Sequence, residues 1–412
     1  MAARPRGTPR PNRRSDLRPC NSRTPDRLYL AVRSRGLAIL GCTGSIGTQV
    51  LDVVRSLPDR FRVVGLAAGS NIALLRQQLD EFDVPFFSSS ADAGITQRQR
   101  LGMVDLVRAP DVDLVVVATT STSALEATIA ALDAGRDVAV ANKEVLVAAG
   151  ALVTEAAART GRRILPLDSE HSAIWQCVRG ETCRESSLPD ELVHSIVLTA
   201  SGGALRDLPI ERLPYVSTEE TLRHPVWNMG TKVTIDSATL VNKAFEVIEA
   251  HWLFAVPFEK IDVVIHRESI IHSIVNFADG SSKAQLARPD MHLPIQYALT
   301  FPDRLPSATP LVDLISAGRL TFDRVDPARY PAFGIVVEAG QRGDTYPAAI
   351  SAANDVVVER FAARQVGYDE IAKTLRQCVD HHRPRSADDL GAVRAAEDWA
   401  RQFARQYLGA AR

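Results

Sequence analysis

The run Leu37-Ala38-Ile39-Leu40-Gly41-Cys42-Thr43-Gly44-Ser45-Ile46-Gly47 decides the fold. Its four apolar residues predict a short strand, and three glycines spaced G-x-x-G-x-x-G predict a tight loop. The stripe Val50, Leu51, Val54 and Leu57 then predicts a helix. Working outward, 62–68, 114–118 and 137–141 are further strand candidates, separated by Ala-rich helical stretches. Strands alternating with helices imply a doubly wound parallel sheet, and Leu114-Val115-Val116-Val117 has the unbroken apolar character of a strand covered on both faces. The expected class is α/β: an N-terminal Rossmann-type doubly wound parallel sheet over 36–165, then a central α+β domain over 166–300. The latter carries short strands at 195–199, 262–264 and 270–277 and a helix over 237–254. Pro302, Pro306 and Pro310 punctuate a linker over 301–329, and an Ala-rich helical domain covers 330–412.

Composition removes several function classes. With 48 basic against 49 acidic side chains, the net charge of −1 creates no global field for nucleic acid or an anionic membrane. No apolar run approaches a bilayer span, since even 145–158 is interrupted by Gly150 and Glu155. Five cysteines, at 20, 42, 177, 183 and 378, are odd in number and lack paired ligand spacing, which points to a reducing compartment without disulfides. Residues 1–35 hold ten arginines, with only Asp16 and Asp26 as acids, and are expected to be disordered. They lack an amphipathic stripe and a secretory apolar core. Arginine outnumbers lysine 42 to 6 along the chain, a bacterial rather than an organelle-precursor usage, so the expected location is the bacterial cytoplasm.

Glycines between a strand and a helix let the backbone approach a pyrophosphate at a helix N-terminus, with the Thr43 and Ser45 hydroxyls as added donors. The second strand ends Ala67-Ala68-Gly69-Ser70-Asn71, without the carboxylate that takes the ribose 2′-hydroxyl of NAD. Ser70, Asn71 and the nearby Arg76 instead suit a 2′-phosphate, which favours NADP; the same residues can equally serve as an ordinary turn.

Asp168-Ser169-Glu170-His171 follows the apolar run Ile164-Leu165-Pro166-Leu167, which predicts two carboxylates leaving a strand end on one side. Such oxygen ligands suit Mg²⁺ or Mn²⁺, although the pair alone also reads as a solvated loop. On the downstream helix Asn242, Lys243, Glu246 and Glu249 share one face at separations of three and four. Ser201-Gly202-Gly203, His224-Pro225-Val226-Trp227-Asn228-Met229-Gly230 and Asp236-Ser237 add hydroxyls, glycine backbone, an amide and an imidazole, the parts of a phosphate pocket. Trp227 and Met229 have little to pack on locally and read as a lid over a ligand.

Together these motifs resemble the 1-deoxy-D-xylulose 5-phosphate reductoisomerase family. The resemblance runs from Gly36 onward through GCTGSIG, Ala141-Asn142-Lys143-Glu144, LDSEH, Ala200-Ser201-Gly202-Gly203, HPVWNMG, DSAT-x-x-NKAFEVIEA, ARPDM and Ser351-Ala352-Ala353-Asn354. It implies a metal- and NADPH-dependent oxidoreductase that makes 2-C-methyl-D-erythritol 4-phosphate for isoprenoid synthesis by the non-mevalonate pathway. The resemblance puts NADPH on Thr43, Gly44, Ser45, Ile46, Gly69, Ser70, Asn71, Asn142, Glu144 and Gly230. It puts Mn²⁺ or Mg²⁺ (Co²⁺ being a third option) on Asp168, Glu170 and Glu246. The sugar phosphate falls on Lys143, Ser169, Glu170, Ser201, His224, Ser237, Asn242, Lys243 and Glu246, with Lys143 and Glu170 catalytic. It also implies a homodimer and a lid over 216–232.

Two features depart from the family pattern. Ser70 stands where a lysine is frequent, and His266-Arg267-Glu268-Ser269 stands where His-Pro-Gln-Ser is common, beside His272. A metal-independent NADP dehydrogenase shares the glycine loop but needs no acid cluster. An idle NADP-binding scaffold would have lost the acid and lysine set that this chain keeps.

Overall fold

The computed structural model describes residues 34–91, 94–181, 188, 191–227 and 229–410. Residues 1–33 of the basic segment lie outside the described residues. Arg35, counted with that segment from the sequence, instead opens the first strand, where its guanidinium pairs with Asp137 at 3.2 Å.

The first layer alternates as the glycine run requires: β1 (Arg35–Leu40), α1 (Ser45–Ser56), β2 (Phe61–Ala68), α2 (Ile72–Glu81), β3 (Phe86–Ser89), β4 (Gln99–Arg100), α3 (Met103–Arg108), β5 (Leu114–Val117), α4 (Leu125–Asp133), β6 (Asp137–Val140), α5 (Lys143–Thr160) and β7 (Ile164–Pro166). All seven strands run parallel in the order β4-β3-β2-β1-β5-β6-β7. The order reverses between β1 and β5, the kind of switch point at which doubly wound sheets bind ligands beyond the carboxyl ends of their strands. Leu114 to Val117 are fully buried, as expected for strands covered on both faces.

A second sheet follows α6 (Ser169–Val178). It comprises β8 (Val193–Ala200), then, beyond α7 (Thr218–Thr221), α8 (Thr231–Ala238) and α9 (Val241–Phe254), the strands β9 (Ile261–Ile265), β10 (Ile271–Phe277) and β11 (Ser282–Leu286). After α10 (His292–Thr300) and α11 (Leu314–Ala317), β12 (Asp323–Arg324) completes the mixed order β11-β10-β8-β9-β12. The 301–329 stretch thus supplies an edge strand to this sheet, paired antiparallel with β9. Helices α12 (Pro331–Arg342), α13 (Tyr346–Ala362), α14 (Asp369–His381) and α15 (Leu390–Ala410) form the C-terminal region.

The single helix expected over 237–254 is two. Leu240 adopts φ +57°, a left-handed turn that ends α8 and restarts the chain as α9 in a new direction. Helix α9 is buried nearly all round, against α5 on one side and α12 on the other. A Cβ on Gly150 of α5 would lie 2.3 Å from the Trp252 ring, and one on Gly340 of α12 would lie 2.6 Å from Ile248. That packing carries the polar face of α9 into the interior. Among the described residues no helix is long and apolar enough to cross a membrane.

Candidate active site

A cavity of about 590 Å³ opens between the carboxyl ends of the parallel strands and the second sheet. Its acidic wall comes from two helices. Asp168 is the N-cap residue of α6 and Glu170 lies in its first turn, so the expected extended strand end is corrected: the chain has already turned into a helix. With Glu246 on α9, their carboxylate oxygens lie within 4.8 Å of one another, a spacing and hardness that fit a divalent cation.

Two lysines face these acids. Lys143 Nζ donates to Asp168 Oδ2 at 2.5 Å and to Glu246 Oε1 at 3.1 Å. Lys243 Nζ donates to Glu246 Oε2 at 2.5 Å and lies 3.4 Å from Glu170 Oε1. Asn242 Nδ2 donates to Glu246 Oε1 at 2.6 Å, and Ser169 Oγ to Glu170 Oε2 at 2.6 Å. Burial alone would discharge the lysines, but the facing carboxylates outweigh it and hold both ammonium groups well charged. Asp168 resists the opposite pull of burial because Lys143 is against it, and stays well below the ordinary carboxylate range. Glu170 is pushed up to about 8 by burial, with Glu246 and Asp168 adding to it against Lys243.

Glu249 shares the helix face but not the cavity. It is fully buried, its carboxyl is raised by burial and by Asp168, and it faces His171 Nδ1 at 3.6 Å. His171 Nε2 meets the Glu246 carbonyl at 2.9 Å, which steadies the turn of α9 that carries the acid.

Ser201, His224, Ser237, Asn242 and Lys243 line one end of the cavity. Nδ1 of His224 accepts from the Val226 and Trp227 amides at 3.2 and 2.8 Å. Burial and Arg206 lower the ring to about 4, so it is neutral with its proton on Nε2, donated to Ser201 Oγ at 3.0 Å. Gly203 N also donates to that oxygen at 3.2 Å, which leaves the Ser201 hydroxyl proton for an acceptor in the cavity. Trp227 stands edge-on to His272 with ring centroids 6.4 Å apart, and Met229 lines the same wall.

Of the residues assigned to a coenzyme, Ser45, Ile46 and Gly230 reach the cavity wall; Thr43, Gly44, Gly69, Ser70, Asn71, Asn142 and Glu144 do not line it. The glycine loop divides its labour. Gly41 has φ +89°, and a Cβ there would lie 2.3 Å from the Ala118 carbonyl; one on Gly47 would lie 2.2 Å from the Gly41 oxygen. Gly44 and Gly69, by contrast, face open space, with nothing nearer than 3.4 Å to a Cβ on the first and nothing within 4 Å of one on the second. Gly44 caps α1 with no side-chain hydrogen bond, so the amides of that helix end point outward unmet by a cap. That open, donor-rich face fits a pyrophosphate. Asn71 accepts from Leu74 N at 3.2 Å as the cap of α2. Asn142 caps α5 and donates to Thr119 Oγ1 and the Ser121 carbonyl, at 3.0 and 2.5 Å.

Of the wall residues that escaped assignment from the sequence, Gln49, Ser269, His272 and Asp290 bring polar side chains and Met291 an apolar one. ARPDM and the segment at 266–272 were visible as motifs, but nothing local to either says that it faces the acid cluster. The unusual Arg267 and Glu268 turn away from the cavity. Arg267 pairs with Asp207 and, at 3.6 Å, with Asp323, while Glu268 accepts from Thr321 N and Oγ1 at 3.1 and 2.8 Å.

The family described as 1-deoxy-D-xylulose 5-phosphate reductoisomerase matches residues 37–150, and its two C-terminal domain families match 164–254 and 286–403. A 1-deoxy-D-xylulose 5-phosphate reductoisomerase 1 from Bacillus thuringiensis subsp. konkukian is 44% identical over 384 residues, covering 90% of this chain and 98% of the relative. The Geobacillus kaustophilus enzyme of that family is 46% identical over 387 residues, with 90% and 99% covered. Among solved structures, a DOX-P reductoisomerase in complex with NADPH, fosmidomycin and magnesium superposes with TM-score 0.86 at 34% identity, covering 91% of this chain and 98% of that one. The Zymomonas mobilis reductoisomerase in complex with NADPH gives 0.83 at 33%, covering 91% and 99%. Fold, cavity and near-full-length similarity agree, and the chain belongs to the 1-deoxy-D-xylulose 5-phosphate reductoisomerase family.

Proposed function

We propose that this chain converts 1-deoxy-D-xylulose 5-phosphate to 2-C-methyl-D-erythritol 4-phosphate, using NADPH and Mg²⁺ or Mn²⁺. One observation carries the reading: Asp168, Glu170 and Glu246 converge within 4.8 Å, in a cavity that also exposes the start of α1 behind the glycine loop. The solved relative that holds NADPH, fosmidomycin and magnesium supports the same set of ligands.

Asp168, Glu170 and Glu246 would hold the divalent ion, which would supply Lewis-acid polarisation of the substrate's carbonyl and hydroxyl oxygens, and the residues at the glycine loop would hold NADPH, which would supply a hydride. The side chains do the rest. Lys143, held charged, hydrogen-bonds a substrate hydroxyl and favours its ionised form, and Glu170 accepts the proton. Ser169 steadies the Glu170 carboxylate through their 2.6 Å hydrogen bond. Ser201, His224, Ser237, Asn242 and Lys243 anchor the phosphate, with Ser201 as donor because His224 and Gly203 already fill its acceptor side. Thr43, Gly44, Ser45 and Ile46 receive the pyrophosphate. Gly69, Ser70 and Asn71 receive the adenosine end, while Asn142, Glu144 and Gly230 border the nicotinamide. Phosphate binding, remote from the reacting carbons, closes Trp227 and Met229 over the site.

The reading includes a cytoplasmic homodimer. Leu311, Leu314 and Ile315 are exposed and give such an association apolar surface, and Cys42, Cys177 and Cys378 are free and buried. The test is NADPH oxidation with 1-deoxy-D-xylulose 5-phosphate, with and without Mn²⁺. Turnover that requires the metal is expected; turnover that survives EDTA would instead indicate a metal-independent dehydrogenase.

A further inference from the structure

A third lysine, partly buried, lies outside the cavity at the last residue of the 216–232 lid segment. Lys232, on the first turn of α8, has a side chain 23% exposed and reaches three acids from three elements. Its Nζ donates to Asp236 Oδ2 at 2.8 Å on its own helix and to Glu144 Oε1 at 3.1 Å on α5, and lies 3.4 Å from Asp355 Oδ1 on α13. The acids are held in turn. Asn354 Nδ2 donates to Asp236 Oδ1 at 2.8 Å, and Ser121 Oγ to Asp355 Oδ2 at 2.7 Å. The carbonyl of that same Ser121 accepts from Asn142, the residue that caps α5. Lys232 therefore joins the lid's downstream end to both ends of the polar chain that fixes the start of α5, where Lys143 and Glu144 project.

We propose that Lys232 is a positioning residue for hydride transfer: it registers the lid's anchor to the coenzyme side of the site, so that bound NADPH and a closed lid favour one another. The claim rests on the function proposed above, through Glu144 and the lid. Gly230 caps α8 with no side-chain hydrogen bond and has open space around it, so the lid can swing there while Lys232 stays fixed behind the pivot. A cluster kept for stability alone is a weaker explanation. Buried ion pairs are commonly no better for stability than apolar groups of the same shape, whereas their directional bonds fix one relative placement of the elements they join.

The test compares Lys232→Met, Lys232→Arg and Asp355→Asn in the full-length protein, by NADPH dissociation constant without substrate, by the KM for NADPH against kcat, and by melting temperature. Lys232→Met should weaken NADPH about tenfold, in binding and in KM, and leave the Mn²⁺ concentration for half-maximal activity within about twofold. Lys232→Arg should recover most of the loss. Asp355→Asn, which keeps the bonds to Glu144 and Asp236, should weaken NADPH about threefold. Chymotrypsin adds a readout of the lid: NADPH should slow cleavage at Trp227 in wild type and not in Lys232→Met.

The proposal falls if folded Lys232→Met binds NADPH as wild type does, or if its loss lies wholly in the KM for the sugar phosphate. It falls equally if melting temperature drops while the folded fraction keeps normal constants. Should Lys232→Met not fold, the other two variants decide by the same measurements. Wild-type protein that binds NADPH without reducing the substrate refutes the proposed reaction and leaves the comparison of dissociation constants in force. Wild-type protein that does not bind NADPH refutes both.

Discussion

Two lysine–carboxylate clusters lie on opposite sides of the start of α5, and they are built differently. Around the cavity, Lys143 and Lys243 face Asp168, Glu170 and Glu246, and all five line open space. Behind it, Lys232 faces Glu144, Asp236 and Asp355, none of which lines that cavity, and Asn354 and Ser121 take further oxygens of the acids. The ingredients match; the access does not. In the first cluster an ammonium can be exchanged for a cation or a substrate oxygen. In the second the partners are all protein groups, and exchange would leave a buried charge alone, at a cost of several kcal/mol. One arrangement suits turnover and the other suits registration.

The strongest way to break that distinction is Glu246→Gln. Glu246 accepts from Lys143, Lys243 and Asn242 at once, and an amide keeps its shape while losing a charged ligand. Activity should fall at least about a thousandfold, with metal affinity reduced and the melting temperature little changed. Turnover within about tenfold of wild type at saturating Mn²⁺ would mean that the open cluster is structural too.

The open cluster also projects charge across the cavity, which pH can measure. Burial and the Lys243 ammonium lower His272 to about 4. In the unfolded chain the ring takes a proton below about pH 6.5, whereas in the folded protein it does so only near 4. Between those values the unfolded state binds the extra proton, so stability falls as pH drops through the window and the loss levels off below it. This one residue contributes about 2 kcal/mol of loss between about pH 7 and about pH 5. Denaturant titrations at both pH values should show a shallower slope for His272→Gln; equal slopes would remove His272 from the account.

How much of this was readable from sequence follows the same division. The glycine loop was legible because its chemistry is local: Gly41 must take positive φ against Ala118, and Gly47 must pass close to Gly41, within seven residues. The acids were legible as motifs, but their convergence was legible only through the family resemblance, since it depends on the left-handed turn at Leu240 and on Gly150 admitting Trp252 between α5 and α9. Without that packing the face of α9 carrying Glu246 and Glu249 reads equally well as solvated. His272 and Asp290 sat beside or within visible motifs but gave no local signal that they face the acids, because the fold brings β10 and the segment before α10 to the cavity from beyond the parallel sheet. The Lys232 cluster was invisible for the same reason: Glu144 and Asp355 are more than two hundred residues apart in a chain of 412.

A smaller effect sharpens the idea that the open side moves. Among the described residues Trp227 has one aromatic neighbour, His272, in edge contact, and it is only half-buried. Trp227→Ala should therefore lower kcat/KM about tenfold through poorer closure, with the melting temperature unchanged within experimental scatter. Full activity, together with unchanged inhibition by a hydroxamate that occupies the substrate cavity, would exclude it from the lid.

The smallest effect supplies the reference for both clusters. On α14, Lys373 Nζ pairs with Asp369 and Glu370 at 2.6 and 2.8 Å, distances as short as those at Lys232, but its side chain is 53% exposed. Water solvates these charges whether or not they meet, and holding a long flexible side chain in place costs entropy. Lys373→Ala should then shift stability by no more than about 0.5 kcal/mol and leave NADPH binding and turnover alone. If it matched Lys232→Met in its effect on NADPH, short ion-pair distances anywhere in the molecule would be sufficient, and burial between α5, α8 and α13 would lose its explanatory role.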